Sequence, residues 1–140
     1  MAFVRILVVD DFEAWRRSII SILEQDREVE VIHEASDGLE AVRMCEELQP
    51  DLVLLDIGLP KLNGVEAARL IREASPTSKI LFLSAHYSQD VMREALRIGA
   101  AGYLAKADAR RDLLPAIRAA LRDEEFLRFT TLPDSEGEAF

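Results

Sequence analysis

Cysteine, histidine, basic charge and long apolar runs are all scarce in this sequence. The one cysteine, Cys45, excludes an internal disulfide framework and suits the reducing cytosol, so a cytoplasmic location is expected. With only His33 and His86 beside it, a zinc site of the usual kind cannot be built. The longest apolar runs, such as Ile6-Leu7-Val8-Val9, are far too short to cross a bilayer. The N-terminal run meets Asp10 and Asp11 at once, unlike a secretory signal, and no membrane association is expected. The 17 basic residues are outnumbered by 26 acidic ones, and the net charge of −9 argues against direct nucleic-acid binding. With 140 residues, 49% of them apolar and 31% charged, the chain is expected to form one globular domain around a hydrophobic core.

Acidity is concentrated near the C-terminus, where Asp123, Glu124, Glu125, Asp134, Glu136 and Glu138 face Arg128 alone. Such a stretch reads as a solvated, poorly ordered terminus. The expected division is a domain over 1–124 and a tail or linker over 125–140. Phe126, Leu127 and Phe129 do not suit a purely flexible tail, and either extend the last helix or dock on a partner.

Short apolar runs at Val4–Val9, Leu52–Leu55, Ile80–Leu83 and, more weakly, Gly102–Leu104 predict buried parallel strands. Val29–Ala35 mixes apolar residues with Glu30, His33 and Glu34, as on an edge strand. Helical spacing intervenes: Trp15, Ile19 and Ile22; Ala41, Cys45 and Leu48; Ala67, Ala68 and Ile71; Val91, Ala95 and Ile98; Leu114, Ile117 and Leu121. The β-α alternation, repeated five times, predicts an α/β fold with a doubly wound parallel sheet. Cys45, on an apolar helical face, reads as an inert core residue. Pro115 falls inside the last helical segment, so that helix either starts late, with Asp112 near its N-cap, or is kinked.

Parallel α/β sheets bind ligands beyond the carboxyl ends of their strands. Asp10-Asp11, Asp56, Ser84 and Lys106 stand at four such ends. Taken singly, each has an ordinary explanation: a turn or cap aspartate, a capping serine, a solvated lysine. Together they place three carboxylates, a hydroxyl and an ammonium on one edge. Three adjacent carboxylates repel and call for a cation, and an all-oxygen donor set suits Mg²⁺. One carboxylate can then act as a nucleophile toward phosphorus, with Lys106 and Ser84 as partners for the phosphoryl oxygens.

ILVVDD (Ile6–Asp11), DLVLLDIGLPKLNG (Asp51–Gly64), ILFLSA (Ile80–Ala85) and GAAGYLAK (Gly99–Lys106) together resemble the receiver domains of two-component response regulators, over residues 4 to about 122. The resemblance implies a flavodoxin-like five-stranded sheet of order 2-1-3-4-5, an order a receiver also illustrates in general accounts of this fold. It implies Asp56 as phosphoacceptor, and Asp10, Asp11, Asp56 and the Gly58 carbonyl as Mg²⁺ ligands. Lys106 would pair with the phosphate, Ser84 would be the switch hydroxyl and Tyr103 the switch aromatic, turning inward as Ser84 moves toward the phosphoryl oxygens. Gly58 and His86 stand where phosphoryl lifetime is tuned in this family. The phosphoryl donor would be a sensor histidine kinase or phosphotransfer protein, and the output a protein-interaction surface or a phosphorylation-dependent homodimer. The proline that commonly follows the family's lysine is Ala107 here, and a cis Lys106–Ala107 bond is expected nonetheless.

GYLAK followed by LLPAIRAAL most resembles LuxR/NarL-type receivers, which usually continue into a DNA-binding domain. Residues 126–140 are too short for such a module, so the chain is expected to be either a stand-alone receiver or the receiver part of a longer regulator. A haloacid dehalogenase-type phosphatase would want an acid at position 58, where glycine stands. A flavodoxin-type flavin carrier would want a Ser/Thr/Gly-rich loop where Asp10-Asp11-Phe12-Glu13 stands. A phosphorylation-independent adaptor would normally have lost one of the acidic residues or the lysine.

Overall fold

The strand runs carry apolar residues toward both faces of a sheet, and both faces are covered. In the computed structural model, which describes residues 3–124 and 126–128, strands and helices alternate: β1 (Val4–Val9), α1 (Glu13–Leu23), β2 (Val29–Ala35), α2 (Gly38–Leu48), β3 (Leu52–Asp56), α3 (Gly64–Ala74), β4 (Lys79–Ser84), α4 (Gln89–Arg97), β5 (Gly102–Ala105), α5 (Ala109–Leu121) and β6 (Phe126–Arg128). All pairings are parallel, in the order β2-β1-β3-β4-β5-β6. The first five reproduce the flavodoxin-like 2-1-3-4-5 arrangement. As its mixed composition predicts, β2 lies at an edge, and its register against β1 shifts between Ile6 and Leu7.

Alternate strand residues feed two cores. Leu7, Val9, Val53, Leu55, Phe82 and Tyr103 pack with Ala41 and Cys45 of α2, Ala67, Ala68 and Ile71 of α3, and Ala95 of α4. On the opposite face Ile6, Val8, Leu52, Leu54, Leu81 and Leu104 meet Ile19, Ile22 and Leu23 of α1 and Leu113, Ala116 and Ile117 of α5. Cys45 is fully buried and its thiol pKa is pushed up to about 12, so the inert core reading holds.

Three helices on the first face start at side-chain caps. Asp37 accepts from the Glu40 N–H at 2.8 Å, Asn63 from Glu66 at 3.0 Å and Ser88 from Val91 at 3.2 Å. Each such cap contributes about 1 kcal/mol and fixes where a strand-end loop becomes helix. Gly64 opens α3 against the backbone that carries Asp56. A Cβ there would lie 2.7 Å from the Ile57 Cα and closer still to the Asp56 carbonyl oxygen. Gly64→Ala is therefore expected to cost about 1–3 kcal/mol by overpacking, read as a lowered denaturant midpoint. An unchanged midpoint would show that the loop can give way.

Two expectations about the C-terminal part need correction. The last helix does not start late: it begins at Ala109 and runs through Pro115, and Asp112 is no cap but a buried residue paired with the Arg111 guanidinium at 2.8 and 2.9 Å. Its buried stripe is Ala109, Leu113, Ala116, Ile117 and Ala120, while Leu121 is 42% exposed. Small alanines, not the leucines read as one face, let α5 approach the sheet. Nor do Phe126 and Leu127 extend the helix, which ends at Leu121; they belong to β6, paired along β5 with Tyr103 opposite Leu127. Phe129 and the acidic residues after it lie outside the described residues.

Candidate functional site

Asp10 directly follows β1, Asp56 ends β3, Ser84 ends β4 and Lys106 directly follows β5. The parallel register brings these four ends to one edge of the sheet. There a carboxylate oxygen from each of Asp10, Asp11 and Asp56 lies within 4.8 Å of the others. Asp10 is 3% and Asp56 7% exposed, whereas Asp11 is open to solvent.

Lys106 bridges the two buried acids. Its Nζ lies 2.6 Å from Asp10 Oδ2 and 3.4 Å from Asp56 Oδ1. Burial raises the Asp56 pKa above the ordinary carboxylate value, and the neighbouring Asp10 charge adds to this. Lys106 and the Gly58 N–H, which donates to Asp56 Oδ1 at 3.3 Å, oppose the shift without cancelling it. One ammonium against three carboxylates leaves excess negative charge among hard oxygen donors. That donor set fits a divalent cation of the Mg²⁺ kind.

Beside Asp56 opens a cavity of about 370 Å³. Gly58, Ser84, His86, Tyr103 and Lys106 all line it. A Cβ built on Gly58 meets nothing within 4 Å, so glycine is not required there by packing and leaves space beside Asp56. Ser84 Oγ donates to the His86 carbonyl at 2.6 Å and accepts from the His86 N–H at 3.3 Å. It is thus the His86 backbone that holds Ser84; the His86 side chain is exposed.

Tyr103 is fully buried, its ring edge-on to Phe82 at 6.4 Å between centroids. Burial raises the pKa of its hydroxyl, opposed by hydrogen bonding with Ser84 and with the Ser88 backbone. The inward position predicted as the end point of a switch is the one the structure has. The Lys106–Ala107 peptide is not as expected: no described peptide bond is cis. Without proline the cis form costs about 3–4 kcal/mol. A trans 3₁₀ turn over Lys106–Asp108, closed by the Ala109 N–H on the Lys106 carbonyl, places the lysine instead.

Two residues near the site were not singled out by sequence for any chemistry. Arg16 donates from Nη1 to the Asp10 carbonyl at 2.7 Å and from Nε to Glu34 at 3.0 Å, tying the β1–α1 loop to β2. A basic residue near a helix N-terminus opposes the helix dipole, which was the available signal. Trp15, read only as a core-facing residue, has its ring 5.5 Å from Lys106 Nζ.

Fold and site together define a receiver domain. Residues 6–118 match the response regulator receiver domain model, and the chain belongs to this family. It is 36% identical over 115 residues to the transcriptional regulatory protein DegU of Brevibacillus brevis, covering 82% of this chain and 49% of that protein. The chain spans about half the length of the curated relatives it matches. Among solved structures, a LuxR-family two-component response regulator from Aurantimonas sp. superposes with a TM-score of 0.85 at 32% identity, covering 98% of this chain and 95% of that one. A CheX–CheY–BeF₃–Mg²⁺ complex from Borrelia burgdorferi gives a TM-score of 0.79 at 25% identity, over 84% and 88% of the two chains. The chain is thus a receiver related to transcriptional regulators. Among the described residues no helix is long and apolar enough to cross a membrane.

Proposed function

We propose that Asp56 accepts a phosphoryl group from a phosphohistidine on a sensor kinase or phosphotransfer protein. The observation that carries this reading is the Asp10–Lys106–Asp56 arrangement, with Asp11 completing a three-carboxylate cluster beside an open cavity. An Asp56 carboxylate oxygen attacks phosphorus, the P–N bond breaks, and the imidazole leaves with its electron pair. Hydrolysis reverses the modification: water attacks phosphorus, the P–O bond to Asp56 breaks, and inorganic phosphate leaves as the carboxylate is restored. Asp10, Asp11, Asp56 and the Gly58 carbonyl would hold Mg²⁺, which supplies charge neutralisation for the transferring group.

Lys106 is placed to exchange Asp10 for a phosphoryl oxygen. Ser84 can donate to another only by releasing the His86 carbonyl, since one hydroxyl carries one hydrogen. Tyr103 lines the same cavity as Ser84, so this release reaches β5 and the adjoining β6. The output is a shift between two packings of the surface formed by α4, the β5–β6 edge and α5, read by a partner protein or a second copy. Gly58 and His86, on the open side of the cavity, are the positions from which water access to the phosphoryl group is set.

Acetyl phosphate with Mg²⁺ is expected to load one labile phosphate on the protein, and Asp56→Asn or chelation to abolish it. Equal loading of the Asp56→Asn protein would overturn the reading.

A further inference from the structure

We propose that Trp15 is a positioning residue for phosphoryl transfer, presenting its indole face to the Lys106 ammonium; this rests on the role given to Lys106 above. Lys106 is a compact charge on a flexible four-carbon stem, set in a short 3₁₀ turn, and something must restrict where its ammonium sits. Asp10 and Asp56 attract it strongly but are acceptors themselves. Each would compete with a phosphoryl oxygen for the same N–H groups. An aromatic face attracts the ammonium without offering a lone pair and without neutralising its charge. The 5.5 Å from Nζ to the Trp15 centroid lies within the range of about 6 Å for this interaction.

Packing alone does not explain an indole at this position. Trp15 is half-buried at the margin of the α1–α5 core, where leucine or isoleucine would serve. Its Nε1 is buried and has no hydrogen-bond partner among the described residues, which is a cost that an apolar side chain would avoid. Of the aromatic residues tryptophan holds a cation best. The ring and Lys106 also share a wall of the cleft between α1 and the start of α5, so α1 reaches the site through this contact.

The test is a double-mutant cycle on the full chain, reading the rate of phosphate uptake from acetyl phosphate with Mg²⁺. Trp15→Leu is expected to slow uptake about fivefold to tenfold, and Trp15→Phe to recover most of that rate. In a Lys106→Ala background Trp15→Leu is expected to change nothing further. An equal slowing in both backgrounds, no slowing by Trp15→Leu, or Trp15→Phe no faster than Trp15→Leu would each overturn the proposal. If Lys106→Ala alone leaves the rate unchanged, the role of Lys106 in the proposed function is at fault, and the proposal falls with it.

Discussion

Lys106→Ala is expected to slow phosphate uptake about 100-fold, the scale on which loss of one preorganised charge-stabilising group acts. The same change leaves Asp10 and Asp56, both almost fully buried, facing each other without the ammonium that bridges them. Removing one member of a buried ion pair costs about 3–5 kcal/mol. The loss here is expected nearer 2–3 kcal/mol, because Asp56 can take up a proton instead. Two conditions should narrow the gap to the unmutated protein. Millimolar Mg²⁺ supplies the missing positive charge and stabilises by mass action. Acid protonates the carboxylates and removes their repulsion. Urea midpoints at neutral pH, with and without Mg²⁺, check this; a midpoint unmoved by the substitution would mean that the acids do not depend on Lys106.

Asp56→Asn should act in the opposite direction on stability while abolishing uptake. The folded protein raises the Asp56 pKa, chiefly by burial and then by Asp10, so it binds that proton more tightly than the unfolded chain does. The stabilising contribution of protonated Asp56 is fully present below the unfolded pKa and is lost as pH rises through the folded pKa. At neutral pH ionised Asp56 is therefore a net cost, and asparagine removes it. A gain of about 1 kcal/mol, or a melting temperature higher by about 4 °C, is expected at pH 7 without divalent cations. The gain should fade as pH falls below the ordinary carboxylate range. It should shrink on adding Mg²⁺, which the unmutated cluster binds better. Lower stability of Asp56→Asn at pH 7 would contradict the electrostatic account of the site.

The strand ends were legible because they depend on local pattern. Each buried run stops at a polar residue, and a parallel sheet puts those stops on one edge, so Asp10, Asp56, Ser84 and Lys106 could be assembled without coordinates. The mixed composition of Val29–Ala35 likewise predicted an edge. What escaped depends on contacts between distant parts or on small residues. Alanine carries little signal of which helix face is buried, so the α5 stripe was read through Leu114 and Leu121 rather than Ala116 and Ala120. Three residues of β6 are too few to announce a strand, and their pairing needs β5 as a template. The depth of Tyr103 is set by Phe82 on the neighbouring strand. Trp15 showed its core-facing phase, but its approach to Lys106 depends on where the 3₁₀ turn begins.

Hydride trapping of the acyl phosphate tests the central claim most directly. After loading with acetyl phosphate and Mg²⁺, borohydride reduces an aspartyl phosphate to homoserine, and peptide mass spectrometry locates it. Conversion at Asp56 alone is the predicted result. Conversion at Asp10 or Asp11, or phosphate uptake that leaves no reduced aspartate, would contradict it.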